Sequence, residues 1–433
     1  GLRTVGVFTR FSYRRDWEFE GRWLQASESK TINPGFALKE WRSLSASAEY
    51  TRRTKRFLES SGSDRTTDLA DIKIDYTPFS RALSSHLRYQ VSSLQAAKKE
   101  RQFVDVGQWK GNYRYDDTTG EYIYDPGKEE SRYLLRTKTV GEFEPIVALK
   151  ASLNLKISPE RFLAERAKRP SKLVRGLKMI ETETLIKIEE KSREKDRWTI
   201  YLFDLSKFQQ ESTTIDGRIT LRQDLFLFPG SDGLNLRLRY EQSDEENNQF
   251  LAQGAAQVLG EERLRTEQSA RARSKLAARF DLQAEWKKER TMRKVQDRIT
   301  YDIRSQTLSA KLGFRPQPPL ELSLKTTYDR DVDRPSDQRS LASSLSPGLS
   351  YSILRRGRAR AEIGWTHVSA KNKDLPLYYH MAGGRKQGNS VDWSLNIDYR
   401  LHRYVTALIS YTGRSEPGRP VVHSGRTEMR AFF

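Results

Sequence analysis

Residues 147–157 read VALKASLNLKI. Val147, Leu149, Ala151, Leu153, Leu155 and Ile157 share one parity, and Lys150, Ser152, Asn154 and Lys156 share the other. A strand sends successive side chains to opposite faces, whereas a helix would wrap these apolar residues around its axis, so period two means a strand with one apolar and one wet face. The run is also long. Soluble strands average about 5 to 6 residues, while a strand that crosses a bilayer needs about 9 to 11.

The same pattern recurs from one end of the chain to the other. Val5, Val7, Thr9, Phe11 and Tyr13 alternate with polar or small residues, and Trp17, Phe19 and Trp23 alternate with Glu18, Glu20 and Arg22. Leu234, Leu236, Leu238 and Tyr240 oppose Asn235, Arg237, Arg239 and Glu241. Leu276, Phe280, Leu282 and Trp286 oppose Arg279, Asp281, Glu285 and Lys287. Leu320, Leu322, Leu324 and Tyr328 oppose Glu321, Ser323, Lys325 and Asp329, and Val391, Trp393, Leu395, Ile397 and Tyr399 oppose Asp392, Ser394, Asn396, Asp398 and Arg400. Most of these segments end in Tyr or Trp, the rings that suit a lipid headgroup layer.

Together they predict an all-β fold, a large antiparallel transmembrane β-barrel of roughly 16 to 18 strands formed by residues 1–433 as one domain. The run EERLRTEQSARARSK (Glu261–Lys275) has helical propensity, but strands flank it and Leu264, Thr266, Ala270 and Ala272 share a parity, so it reads as strand. SPERFLAERAKR reads as a short helix with Ser158 as N-cap and Pro159 in its first turn. Connections fall into two sizes. The link around Leu401–Arg403 is short, whereas RDVDRPSDQRSLAS, KNKDLPLYYHMAGGRKQGNS and SDEENNQFLAQGAAQVLGEE are long and rich in turn formers, as expected of short periplasmic turns and long outer loops.

Composition narrows the class. Only 36% of residues are apolar and 31% are charged, with a mean hydropathy of −0.77. No window approaches the roughly 18 apolar residues of a membrane-spanning helix. The 19 Tyr, 18 Phe and 8 Trp are too many for a chain that never folds. The absence of Cys removes disulfides, thiolate metal sites and thiol catalysis. Gly1 is followed by neither a basic nor an apolar leader, so a preceding segment is expected.

The last residues, GRTEMRAFF, put Thr427, Met429, Ala431 and Phe433 on one face and Arg426, Glu428 and Arg430 on the other. This resembles the C-terminal signature of bacterial outer-membrane barrels, with Ala431 at a position where an aromatic is frequent. The resemblance implies residence in the bacterial outer membrane, contact with outer-membrane lipid, and recognition of Met429, Ala431 and Phe433 by the barrel-assembly machinery. WSLNIDYRLHRYVTALISYTGRSEPGRP, GRTEMRAFF and ETETLIKIEEKSREKDRWTIYLFDLSKF are also similar to a family of large uncharacterised bacterial surface proteins. That similarity implies that the chain is the C-terminal membrane part of a longer polypeptide, and it brings no activity.

Catalytic signatures are missing: no phosphate-binding Gly-rich loop with Lys, no His-Glu-x-x-His and no Gly-x-Ser-x-Gly. The five His lack metal-ligand spacing, so neither an enzyme nor a cofactor is expected. Within 101–145, GNYRYDDTTGEYIYD (Gly111–Asp125) repeats Gly-x-Tyr-x-Tyr-Asp and reads as a self-paired hairpin extension closed by Asp117–Gly120. Asp116, Asp117 and Asp125 are its weak candidates for a hard cation, although their spacing matches no calcium loop.

The formal charge of +20 arises from 77 Lys and Arg against 57 acids. These cations follow the polar parity rather than one patch with stacking aromatics, so no nucleic acid is expected. Arg237, Arg239, Arg279, Lys287, Lys325, Arg358, Arg360 and Arg400 are the candidate lumen charges of a pore, translocation or anchoring barrel that favours anions. The alternative is a soluble basic β-sheet that binds polyanions.

Overall fold

The alternating segments are strands. The computed structural model describes residues 5–19, 21–58, 64–117, 120–125, 130–164, 172–193, 213–231, 233–251, 260–353, 356–371, 377–378 and 380–432. The chain begins with β1 (Val5–Phe19), β2 (Trp23–Trp41), β3 (Leu44–Phe57), β4 (Arg65–Tyr76) and β5 (Leu83–Asp105). Two short strands, β6 (Tyr113–Asp116) and β7 (Glu121–Tyr124), precede β8 (Tyr133–Ile157), β9 (Ile180–Ser192), β10 (Thr214–Leu227) and β11 (Asn235–Asn247). After the two-residue β12 (Phe250–Leu251) come β13 (Glu261–Ala277), β14 (Phe280–Val295), β15 (Arg298–Gln317), β16 (Leu320–Asp333) and β17 (Arg339–Ile353). The chain ends with β18 (Gly357–Ala370), β19 (Gly388–His402), β20 (Val405–Ser415) and β21 (Val422–Ala431).

Of these 21 strands, β6, β7 and β12 are additions and the other 18 form the wall, an antiparallel meander in chain order. β5 and β8 are neighbours across the insertion between them, in register from Leu83↔Ile157 to Asp105↔Tyr133. Among the described residues β1 and β21 have one wall neighbour each, β2 and β20. An even strand count makes those two terminal strands run in opposite directions, the sense that antiparallel pairing between them would require.

One end of the wall carries mostly short turns, at 42–43, 278–279, 318–319 and 403–404. The other carries the connections at 106–132, 193–213, 248–260 and 371–387. The sorting has exceptions: 296–297 is a tight turn at the long-loop end, and 158–179 holds α1 (Pro159–Ala164) and α2 (Lys172–Leu177) at the short-turn end. The Ser158 side chain donates to Glu181 Oε2 at 2.8 Å, and among the described residues it makes no capping hydrogen bond to α1. Two of the long runs are shorter loops than their composition suggests. Only 334–338 separate β16 from β17, and 248–260 separate β11 from β13, because the strands continue through Asp331, Asp333 and Glu246.

Apolar parities face outward. Leu308 is 57% exposed, Ile363 55% and Leu322 38%. Aromatic rings on this face form two girdles, with Phe280, Tyr351 and Tyr404 toward the short-turn end and Trp286, Tyr328, Trp365 and Tyr411 toward the long-loop end. Phe280 and Trp286 are six residues apart on β14, about 20 Å along a strand. That spacing suits the apolar band of a barrel in a bilayer. One outward patch differs: Tyr89, Val91, Val147, Leu149 and Ile188 form a buried apolar cluster with Ile72 and Ile219 beside it.

Inner parities carry charge, and they are paired across strands. Arg239 grips Asp224 through two hydrogen bonds of 2.7 and 3.0 Å, and Arg271 holds both oxygens of Glu285 at 2.9 and 2.8 Å. Lys287 and Arg265 share Glu289 at 2.8 and 3.0 Å. Curling of the sheet follows from contacts over this inner face: β12 pairs in parallel with β5, four wall strands away, and Arg101 lies 3.9 Å from Glu261.

The facing predicts an asymmetric mutational response. Leu322→Arg or Leu395→Arg should destabilise by about 2 to 4 kcal/mol in denaturant titration of the lipid-reconstituted protein, and Ser323→Arg or Asn396→Arg should stay well below that. Equal losses on both parities would contradict the assignment of faces.

Candidate functional site

Because the polar parity faces inward, the concave face and its long-loop mouth are where solutes meet the protein. Seven of the eight cations singled out from sequence lie on inward strand positions: Arg237, Arg239, Lys287, Lys325, Arg358, Arg360 and Arg400. Arg279 does not. It sits exposed in the two-residue turn between β13 and β14, where alternation runs on through the turn and conceals it. Arg239 and Lys287 are neutralised by Asp224 and Glu289, so the free positive charge of the wall lies elsewhere.

The described part of the 371–387 connection, 377–378 and 380–387, folds into the mouth. Met381 is fully buried with Tyr301 and Ile303 of β15, with Leu377 and Tyr378 packed against them, and Ala382 is buried against Ala342 and Val368. Asp331 anchors this loop. Its Oδ2 accepts the Ala382 N–H at 2.6 Å and the Ser340 hydroxyl at 3.0 Å. Asp333, fully buried, accepts the backbone N–H groups of Asp302 and Ser336 at 3.0 Å each.

The 106–132 insertion reaches the same mouth from the opposite side of the chain order. β6 and β7 pair as Tyr113↔Tyr124 and Tyr115↔Tyr122, and Tyr122 stacks on Phe103 with ring centroids 3.7 Å apart. Burial among these rings pushes the Tyr122 phenol above its ordinary value. The two glycines of the doublet serve different ends. A Cβ on Gly111 would fall 2.3 Å from the Tyr133 amide nitrogen, so the insertion can lie against β8 only with glycine there, while Gly120 takes the positive φ of the turn.

At its return, Glu130 meets cations from three segments: Arg114 of the hairpin at 3.0 Å, Lys386 of the 371–387 loop at 3.9 Å, and Arg419 of the β20–β21 connection. At its neck, Arg132 bonds Asp105 and holds that carboxyl below its usual range, helped by the Gly107 N–H at 2.9 Å. None of Glu130, Arg419 and Trp109 carried a sequence signal, because their partners lie in distant segments.

Two cavities remain along β18–β21. The upper one, about 1030 Å³, lies beneath the loops and is bordered by Trp109, Lys325, Glu362, Arg385, Asp392 and Arg414. Arg385 pairs with Asp392 at 2.5 Å and Arg414 with Glu416 at 3.4 Å, while Lys325 and Glu362 make no ion pair among the described residues. The lower one, about 520 Å³, contains Arg358, Arg360, Arg426 and Arg430 with Asp398 and Glu428.

Asp116 lies in β6 opposite Glu121, Asp117 in the turn, and Asp125 is buried beyond β7. Among the described residues no three acids or histidines converge on a metal position. Met429 and Ala431 occupy the outward face of β21, Met429 well exposed, and Phe433 lies outside the described residues.

No family model and no curated protein matches the chain. Among solved structures, it is similar to the alcaligin outer-membrane receptor FauA of Bordetella pertussis, at 9% identity over 99% of this chain and 65% of that one, with a TM-score of 0.46. The FrpB iron transporter of Neisseria meningitidis gives 11% identity over 95% and 62%, with a TM-score of 0.44. OmpT of Vibrio cholerae gives 8% over 92% and 98%, with a TM-score of 0.34. This chain spans less than two thirds of the length of FauA and of FrpB. The architecture, an antiparallel sheet of 18 wall strands consistent with a barrel, rests on register and facing.

Gly111→Ala should loosen the insertion while the wall survives. Limited proteolysis should then cut within 106–132, with the heat-modifiable gel shift of the folded barrel retained; an uncut insertion would contradict the close approach. Because the Asp105 carboxyl is depressed in the folded state, its contribution is present above the unfolded value of about 3.9 and is lost as pH falls through the folded one. Cleavage at the neck should therefore rise under acid, and rise less in Asp105→Asn.

Proposed function

We propose that the chain is an outer-membrane channel for polar solutes, favouring anions, with its outer mouth narrowed by the 106–132 insertion and the 371–387 loop. The observation that carries this reading is the segregation of faces around a wall of 18 strands, apolar outside and charged inside. Rings of 16 to 18 strands are wide enough for water to fill what side chains leave open. On this reading lipid surrounds the girdled belt, and Met429, Ala431 and Phe433 serve the assembly machinery as a recognition strand. The soluble alternative would leave that apolar belt in water, where patches of such extent do not persist on monomeric proteins.

Anion preference follows from which cations stay unpaired. Lys325 in the upper cavity and Arg358 and Arg360 in the lower make no ion pair among the described residues, whereas most inner acids do. Unpaired cations at a constriction concentrate anions and repel cations over about 8 to 10 Å at physiological salt.

Planar-bilayer recordings of the purified protein test the reading. The reversal potential in a salt gradient should indicate anion preference, and Lys325→Glu should move it toward cations, more at low salt. Glu130→Gln, which releases the insertion from Arg419 and Lys386, should raise the open fraction. Cation preference in the unmodified protein, or silence of both proteins, would overturn the proposal.

A further inference from the structure

We propose that the lower cavity is a binding station for a compact multivalent anion, a solute carrying at least two carboxylate, phosphate or sulfate groups. The inference rests on the inward facing of the polar parity and goes beyond general anion preference by naming a site. The cavity, about 520 Å³, is in the size range of small-molecule sites. Four guanidiniums face two carboxylates, Asp398 and Glu428, leaving a surplus of two positive charges.

The arginines occupy two opposed banks. Arg358 and Arg360 are two residues apart on β18, so they share a face about 7 Å apart. Arg426 and Arg430 lie on the matching face of β21, three strand spacings or about 14 Å away. Between the banks stand Asn396 and Ser410, tied by a 2.8 Å hydrogen bond, and Asp398, which lies opposite Arg358 in register. A solute with anionic groups at both ends can therefore meet one bank with each.

The banks differ in readiness. Glu428 accepts from Arg430 at 2.6 Å and from Arg426 at 3.1 Å, which orients both guanidiniums and leaves other donors of each fork available. Arg358 and Arg360 have no ion pair or side-chain hydrogen bond among the described residues. In register, Arg360 stands beside the neutral Ser350 and Asn396. Planar forks match carboxylate, phosphate and sulfate oxygens in pairs, which a lysine cannot do.

Calorimetric titration of the detergent-purified full chain with pyrophosphate and citrate tests the site without requiring conductance. Chloride at matched ionic strength and neutral trehalose serve as controls. Saturable one-to-one binding is expected for both multivalent anions and for neither control. Arg358→Gln/Arg360→Gln should weaken it at least about tenfold, the scale of a lost charge-assisted hydrogen bond. Arg358→Lys/Arg360→Lys, which keeps the charge and removes the fork, should fall between, and Arg279→Gln in the distant turn should bind as the unmodified protein does.

Heat-modifiable migration establishes that each variant is folded, and Arg426→Gln tests the opposite bank if the double variant is not. Equal affinity in the folded bank variants, or heats no greater than those of chloride, would overturn the site. A protein that conducts anions yet binds neither probe would sink this inference and leave the channel reading standing; a silent protein that binds both would do the reverse.

Discussion

A strand in hydrocarbon has no water to satisfy its backbone, so every N–H and C=O inside the bilayer must find a partner in a neighbouring strand. That requirement organises this molecule. It explains why 18 strands run as one meander in which each wall strand pairs with the next, and why ladders such as β13–β14 and β14–β15 continue for a dozen residues or more. The same ladder fixes side-chain direction. Once one residue of a strand faces lipid, its parity is committed, and a register slip of one residue would bring Arg239 or Glu285 into the bilayer.

The interior shows how so much charge is tolerated. Acids and bases alternate around β10–β14 so that Asp224, Glu285 and Glu289 each lie within hydrogen-bonding distance of a cation on the same or the neighbouring strand. In a wet lumen such pairs contribute modestly to stability, and their larger effect is to cancel the field along that part of the wall. The wall opposite, β18–β21, is less balanced, and two cavities lie along it. The mouth adds a second layer: the infolded 371–387 loop is held by Asp331, and the insertion is held by Glu130.

Legibility in the sequence followed the solvent. Where one face is apolar and the other polar, as at Val147–Ile157 or Val391–Tyr399, period two was visible and the strands are present. Where a strand end carries acids buried beneath the infolded loop the signal vanished, so Asp331 and Asp333 read as loop although they end β16. Arg279 failed for a different reason, since a two-residue turn does not interrupt a count of alternate residues. The doublet at Gly111–Asp125 disclosed its hairpin because its partners are local, as Tyr113↔Tyr124 shows. The latch at Glu130 and the seat of Met381 on Tyr301 stayed hidden, because their partners come from segments far away in sequence whose proximity only the curled sheet creates.

The chain has no cysteine, so single cysteines can be placed at will along β14 and β19 and spin-labelled without background. Electron paramagnetic resonance accessibility in lipid vesicles then tests the facing most directly. Labels at Leu282, Ala284, Trp286, Leu395 and Ile397 should collide with oxygen dissolved in the bilayer, and labels at Gln283, Glu285, Lys287, Ser394 and Asn396 with a water-soluble nickel chelate. The two profiles should alternate with period two and in opposite phase. Profiles that rise and fall together, or that show no alternation, would contradict a barrel with lipid outside and a charged lumen within.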